Sequence, residues 1–346
     1  MKAISNLKFI KMKSLIIVFL ITLCKISFGQ FEIKSNNSPT TFKCLYILTQ
    51  DSTSDYAKNL MIMIHDSWKL CPVKYIYDNQ NITNLIGNGN IFAKTVKLSK
   101  KSILTNTTNN TNWDREQVAN ELNYIEFSTQ PNNIYGKPSD EKFVFAKALF
   151  FEKRVNQFDI DPKLFKSSNS DDIQLKGKFD FTDEYFKYKF INGSPGFIKN
   201  IFQYVASKLS ENSNIGLYDE FSDINELKKL KSENLLFLNY AYGSDETIYA
   251  ILRKDDKTLD VMKTQINKLV KSYPYSCSLI SIPDLNSNII NANSDLYYLN
   301  YIQTSTNKFI LVVNAFNGKV IYNKSYKNAY YLKENDIRNL GKGINK

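Results

Sequence analysis

Phe42-Lys43-Cys44-Leu45-Tyr46-Ile47-Leu48, then Asp51-Ser52-Thr53-Ser54-Asp55, then Tyr56 to Trp68, then Val73-Lys74-Tyr75-Ile76-Tyr77, is the stretch that decides the fold class. The first run is β-branched and aromatic and reads as a strand. The polar run after it supplies N-cap chemistry for a helix. Tyr56, Leu60, Ile64 and Trp68 recur every four residues with Met61 beside them, so one face of that helix is buried. Pro72 closes the helix, and 73–77 is a second strand ending at Asp78. A short helix near 82–86 and a strand over 91–96 follow. Strand–helix–strand alternation of this kind predicts an α/β (or α+β) fold built from βαβ-type units with mainly parallel sheets.

Further along, the same order is expected again. Tyr185–Ile191 reads as a strand, Asn192–Gly196 as a loop and Phe197–Leu209 as a helix with Ile198, Ile201, Phe202, Val205 and Leu209 on one face. Ile215–Tyr218 reads as a strand ending in Asp219, 224–231 as a helix and 235–240 as a strand. Lys58-Asn59 matches Lys199-Asn200, and Tyr77-Asp78 matches Tyr218-Asp219, which suggests an internal duplication. A strand at 247–252 and an amphipathic helix marked by Leu259, Met262, Ile266, Leu269 and Val270 lead to a terminal antiparallel meander (296–302, 309–313, 319–322). Asn317-Gly318 is its hairpin signal, and a last helix spans 333–340. The expected organisation is a leader over 1–29, an α/β domain over 30–160, a linker over 161–182 and a second α/β domain over 183–346. The polar runs 99–112 and 167–172 read as loops.

The first 29 residues have the layout of a secretory signal. Lys2, Lys8, Lys11 and Lys13 precede the ten-residue apolar run Ser14–Leu23, which is too short to span a bilayer. Ser27-Phe28-Gly29 then places small residues where a peptidase requires them, so cleavage is expected before Gln30. The alternative is lipidation of Cys24, which bulky Leu23 disfavours. A secreted or periplasmic protein with no transmembrane segment in the mature chain follows.

Charge must be read after that cut. The net +11 of the whole chain includes five leader lysines, and their removal leaves 40 basic against 34 acidic residues, a net +6. Arg115, Arg154, Arg253 and Arg338 are the only arginines, and the lysines are scattered along the sequence, which argues against nucleic-acid binding. Of the four cysteines, Cys44, Cys71 and Cys277 survive cleavage. Cys44 near the start of the first strand and Cys71 just before the second suggest a disulfide in an oxidising compartment.

Catalytic motifs are missing from the sequence. His65 is the single histidine, and it has no partner at metal-ligand spacing. There is no G-x-S-x-G elbow, and neither a dinucleotide fingerprint nor a phosphate loop occurs. No catalytic residue, metal or cofactor is therefore assigned. Gly193-Ser194-Pro195-Gly196 could cradle an anion at a helix start, with Ser194 as the contact. Asp51, Asp78 and Asp219 follow predicted strands, the edge at which α/β sheets bind ligands, although Asp is also an ordinary helix cap. Tyr75, Tyr77, Tyr240, Tyr242, Tyr297 and Tyr298 could line a groove or pack against helices. The resulting expectation is a binding protein of the cell envelope whose partner is an envelope component, a peptide or another protein. The alternatives are a hydrolase using Asp51, Asp55 and Asp78, with or without a divalent cation, and a structural subunit of an envelope assembly.

Overall fold

The computed structural model describes residues 30–49, 55–77, 83–87, 89–103, 117–130, 142–155, 194–216, 218–238, 266–304, 307–327 and 332–346. The leader, the proposed linker and the expected strands at 185–191 and 247–252 lie outside the described residues.

Two six-stranded mixed sheets carry the fold. The first contains β1 (Phe31–Ile33), β2 (Cys44–Thr49), β3 (Val73–Tyr77), β4 (Asn90–Ile103), β5 (Gln117–Thr129) and β6 (Phe143–Val155), in the order β1-β6-β5-β4-β2-β3. The second contains β7 (Phe221–Ser222), β8 (Leu235–Leu238), β9 (Cys277–Ile280), β10 (Tyr297–Thr304), β11 (Asn307–Asn314) and β12 (Val320–Lys327), in the order β7-β12-β11-β10-β8-β9. The two orders are the same, strand for strand. In each sheet the second strand is parallel to the third and fourth, and the fourth, fifth, sixth and first are joined antiparallel.

The α/β class read from the sequence therefore holds, but the expectation of mainly parallel sheets does not. Antiparallel ladders outnumber parallel ones in both sheets, because the last three strands of each half follow one another as meanders that need no crossover helix. The first half has a meander as well as the second. The expected strand at Ile215–Tyr218 is reduced to a single bridge, in which Ile33 and Ile215 exchange backbone hydrogen bonds at 2.9 and 2.8 Å.

Helices α1 (Asp55–Ser67), α2 (Pro195–Ser210), α3 (Ile224–Lys229), α4 (Ile282–Asn291) and α5 (Glu334–Ile344), with helical residues at 266–271 and short 3-10 turns at Ser35–Asn37 and Thr83–Leu85, complete the described elements. Strand alternation decides what each covers. Leu45, Ile91, Ala93, Ile125 and Phe127 face α1 and α2 in one large apolar cluster. Cys44, Tyr46, Ile76 and Phe92 alternate to the other face and form a smaller cluster there.

Helix α2 is shared by both halves. Phe202 meets Trp68 of the α1 end and Phe127 of β5, with ring centroids 6.0 and 5.2 Å away. Tyr204 meets Phe31 at 4.6 Å, while Phe197 meets Tyr298 of the second sheet at 5.3 Å. A helix apolar on several sides belongs in an interior layer, and α2 occupies one, between the two sheets. On the other face of the second sheet, Lys308 of β11 pairs with Asp336 of α5. Strand β11 is consequently buried along its whole length.

Asn200 fixes α2 to the second sheet. Its side-chain amide donates to Ala315 O at 2.9 Å and to Gln203 Oε1 at 2.8 Å, and its Oδ1 accepts from the Tyr298 hydroxyl at 3.1 Å. The hairpin signal read at Asn317-Gly318 is confirmed in the turn joining β11 to β12. Gly318 has φ +71, and a Cβ there would stand 2.6 Å from Asn200 O.

Candidate functional site

Asp51 and Asp78 lie outside the described residues, and Asp55 is the first residue of α1. Asp219 sits in an exposed turn. Its Oδ2 accepts the Gly216 N–H at 2.6 Å, and its carbonyl accepts from the Asn323 side chain at 2.8 Å, which ties the turn to β12. The helix that follows is capped by Asp223 instead, whose Oδ1 accepts the Glu226 N–H at 3.2 Å.

Ser194 occupies the N-cap of α2, is buried and makes no side-chain cap bond. The amide expected to be open to an anion is committed elsewhere: Gly196 N–H donates to Asn286 Oδ1 at 2.8 Å. A Cβ on Gly196 would come within 2.9 Å of Asn286 O, so α4 lies directly across this helix end. Lys199, one turn on, donates to the last carbonyls of α4, Ile289 O at 2.9 Å and Ile290 O at 3.2 Å. Burial lowers the pKa of that amine from its ordinary value.

Cys44 and Cys71, expected as a bridge, are both thiols in this structure. Cys44 belongs to the smaller cluster on one face of the first sheet, whereas Cys71 packs on the large one and accepts the Trp68 indole N–H at 3.3 Å. Burial raises the pKa of both thiols. His65 is exposed beside Asp66, 3.4 Å away. Of the candidate tyrosines, Tyr240 and Tyr242 lie outside the described residues. Tyr75 donates to Met61 O at 2.6 Å, and Tyr298 is spent on Asn200.

A polar cluster not anticipated from sequence closes the amino end of β10. Asp295 accepts from Asn314 Nδ2 at 2.8 Å and from Lys229 Nζ at 3.0 Å, and Lys229 also pairs with Glu226 at 3.0 Å. The Tyr297 hydroxyl donates to Glu226 Oε2 at 3.0 Å and to Asp295 Oδ2 at 3.2 Å. Lys319 pairs with Asp223 at 2.7 Å. The Asn314 and Lys229 bonds hold the Asp295 carboxyl below its ordinary pKa, and the Lys319 bond does the same for Asp223. Burial, followed by the hydrogen bond to Glu226, pushes the Tyr297 hydroxyl up. Every carboxylate here already has a cation or a donor, so the cluster works as a clamp holding α3 to the sheet. Among the described residues no group of His, Cys, Asp and Glu is placed to hold a metal ion.

Where the two sheets differ is more informative. Strands β10, β11 and β12 have 8 residues each, whereas β4, β5 and β6 have 14, 13 and 13. Helix-backed neighbours stop early. The β2 ladder reaches Ala93 on β4, and β1 spans Ala146 to Ala148 on β6. Beyond Val96↔Tyr124, the ladder continues from Lys97↔Asn123 to Ile103↔Gln117, with β6 alongside to Val155. A rise of about 3.3 Å per residue makes this ribbon roughly 20 Å long. It runs past the carboxyl ends of β2 and β3, at Thr49 and Tyr77. The sequence supplies Lys97, Lys100, Lys101, Lys153 and Arg154 to it, against Glu121 and Glu152.

Within the body of the sheet, charge is instead balanced across strands. Lys94, Glu126, Lys147 and Glu32 stand in one cross-strand row, with Lys142 also paired to Glu126 and Lys34 to Glu32. Opposite charges placed directly across a ladder stabilise it.

No protein-family model and no curated protein matches the chain. Among solved structures it is similar to a neuraminyllactose-binding hemagglutinin homologue from Helicobacter pylori. The identity is 11%, over 39% of this chain and 78% of that one, with a TM-score of 0.16, a likeness too slight to assign a fold. No helix among the described residues is long and apolar enough to cross a membrane.

Proposed function

We propose that this chain is an exported binding protein of the cell envelope that engages an anionic partner through the ribbon formed by the outer halves of β4, β5 and β6. The observation that carries the reading is the length difference between two sheets of identical strand order. On this reading the two halves are copies of one unit, with β1–β6 followed by α2 corresponding to β7–β12 followed by α5, a register in which Lys58-Asn59 of α1 is not the counterpart of Lys199-Asn200 of α2. What one copy has and the other lacks is not needed to build the unit. The ribbon is such an addition, and it carries more lysine and arginine than acid.

The basic excess gives the ribbon complementarity to negative charge, and attraction of that kind weakens with salt. The carboxyl ends of β2 and β3 lie at the base of the ribbon and would share its binding surface. The secretory layout of residues 1–29 supports an extracytoplasmic location for that surface.

The test is retention of the mature protein on intact cell envelopes. Replacing Lys97, Lys100, Lys101, Lys153 and Arg154 with Ser is expected to reduce retention at least tenfold and to flatten its salt dependence, with unchanged thermal unfolding. Retention equal to that of the unaltered protein would overturn the reading.

A further inference from the structure

We propose that Gln30 is a modification site: once the leader is removed before it, its side chain closes on its own α-amine to give pyroglutamate. This rests on the export reading above and deepens it. Gln30 is 6% exposed, and its Oε1 is buried without a hydrogen-bond partner. The backbone there is fixed: Gln30 O accepts the Leu149 N–H at 2.6 Å, Phe31 pairs with Ala148, and Ile33 is fully buried.

Cleavage between Gly29 and Gln30 would leave an ammonium group on a residue that has almost no contact with water. A buried unpaired charge is costly, and a side-chain amide with an unpaired oxygen adds to the cost. Cyclisation removes both the charge and the primary amide. The neutral α-amine nitrogen attacks the side-chain carbon Cδ, the Cδ–Nε2 bond breaks, and Nε2 leaves as ammonia with the proton given up by the amine. A five-membered lactam remains, with one N–H, one carbonyl and no charge. No oxidant, reductant or co-reactant is consumed. The reaction takes place on the exported chain before β1 docks on β6, and docking then buries the ring.

The experiment uses the full chain with its own leader, exported by a bacterial host. Free amines in the extracytoplasmic fraction are capped by reductive methylation before digestion, so that cyclisation during handling is excluded, and the amino-terminal peptide is sequenced by mass spectrometry. The expected peptide begins at position 30, is lighter than the Gln form by one ammonia and carries no methyl label. A methylated Gln30 would overturn the proposal while leaving export intact. A peptide that still carries the leader would overturn the export reading and this proposal with it, and one beginning at another cut would overturn this proposal alone. Gln30→Ala, cut at the same bond, keeps its ammonium and is expected to unfold at a lower temperature than the cyclised protein. An equal or higher midpoint would contradict the argument from burial.

Discussion

Lys308 of β11 and Asp336 in the first turn of α5 form an ion pair with side chains only 2% and 6% exposed. The Lys308 amine also lies 4.7 Å above the Tyr326 ring, and Asp336 Oδ2 accepts the Lys333 N–H at 2.8 Å as a helix cap. Breaking such a pair leaves one charge stranded. Lys308→Met or Asp336→Ala is expected to cost about 3–5 kcal/mol in urea unfolding. Lys308→Met combined with Asp336→Leu should lose much less, about 1 kcal/mol, which corresponds to the missing cap. A loss in the double variant equal to the sum of the two single losses would show that the pair is not coupled.

The turn at Gly318 supports a second prediction. Left-handed backbone and contact with α2 both exclude a side chain there. Gly318→Ala is expected to destabilise by about 2 kcal/mol or more. Asn317→Ala, at the exposed position beside it, should cost under about 1 kcal/mol by the same measurement.

Stability should fall in acid through Asp223 and Asp295. Their partners hold both folded-state pKa values below the ordinary 3.8. A depressed carboxyl contributes stability above its unfolded pKa and loses it as pH falls through the folded one. Asp295→Asn is therefore expected to reduce the stability lost below about pH 4, read as unfolding midpoint against pH. An unchanged acid limb would contradict the clamp described at the start of β10.

The alkaline limb has the opposite sign. Burial raises the hydroxyl pKa of Tyr298 and Tyr204, and of Tyr297 together with the hydrogen bond to Glu226. These groups contribute stability below the unfolded value of 10.0, and it is lost as pH rises beyond that. Tyr298→Phe should shift the alkaline midpoint upward; no shift would place that hydroxyl in solvent.

Periodicity made α1, β2, β3 and the Asn317-Gly318 hairpin legible, since each is a local pattern. Strand direction was not, because parallel and antiparallel strands share the same alternation and differ only in their connections. The first-half meander was obscured for that reason, β4 running on through the polar residues 99–103 that read as loop. Helix α4 was missed although Ser281 and Asp284 form a visible cap ahead of Leu285 and Ile289. The clamp at Asp295 could not be read, because Glu226, Asp295 and Asn314 meet only when three separate elements pack. Helix α2 was read with one buried face, whereas it is buried on several sides, between two sheets that local sequence cannot place.

The most direct test of the ribbon as the binding surface is removal of its β4 and β5 arms, which carry Lys97, Lys100 and Lys101. Replacing residues 97–123 with an Asn-Gly turn would join Val96 to Tyr124, which already stand opposite each other. Retention on intact envelopes, measured against the full-length mature protein, should then fall at least tenfold while cooperative unfolding persists. Undiminished retention by a folded, shortened protein would contradict the account.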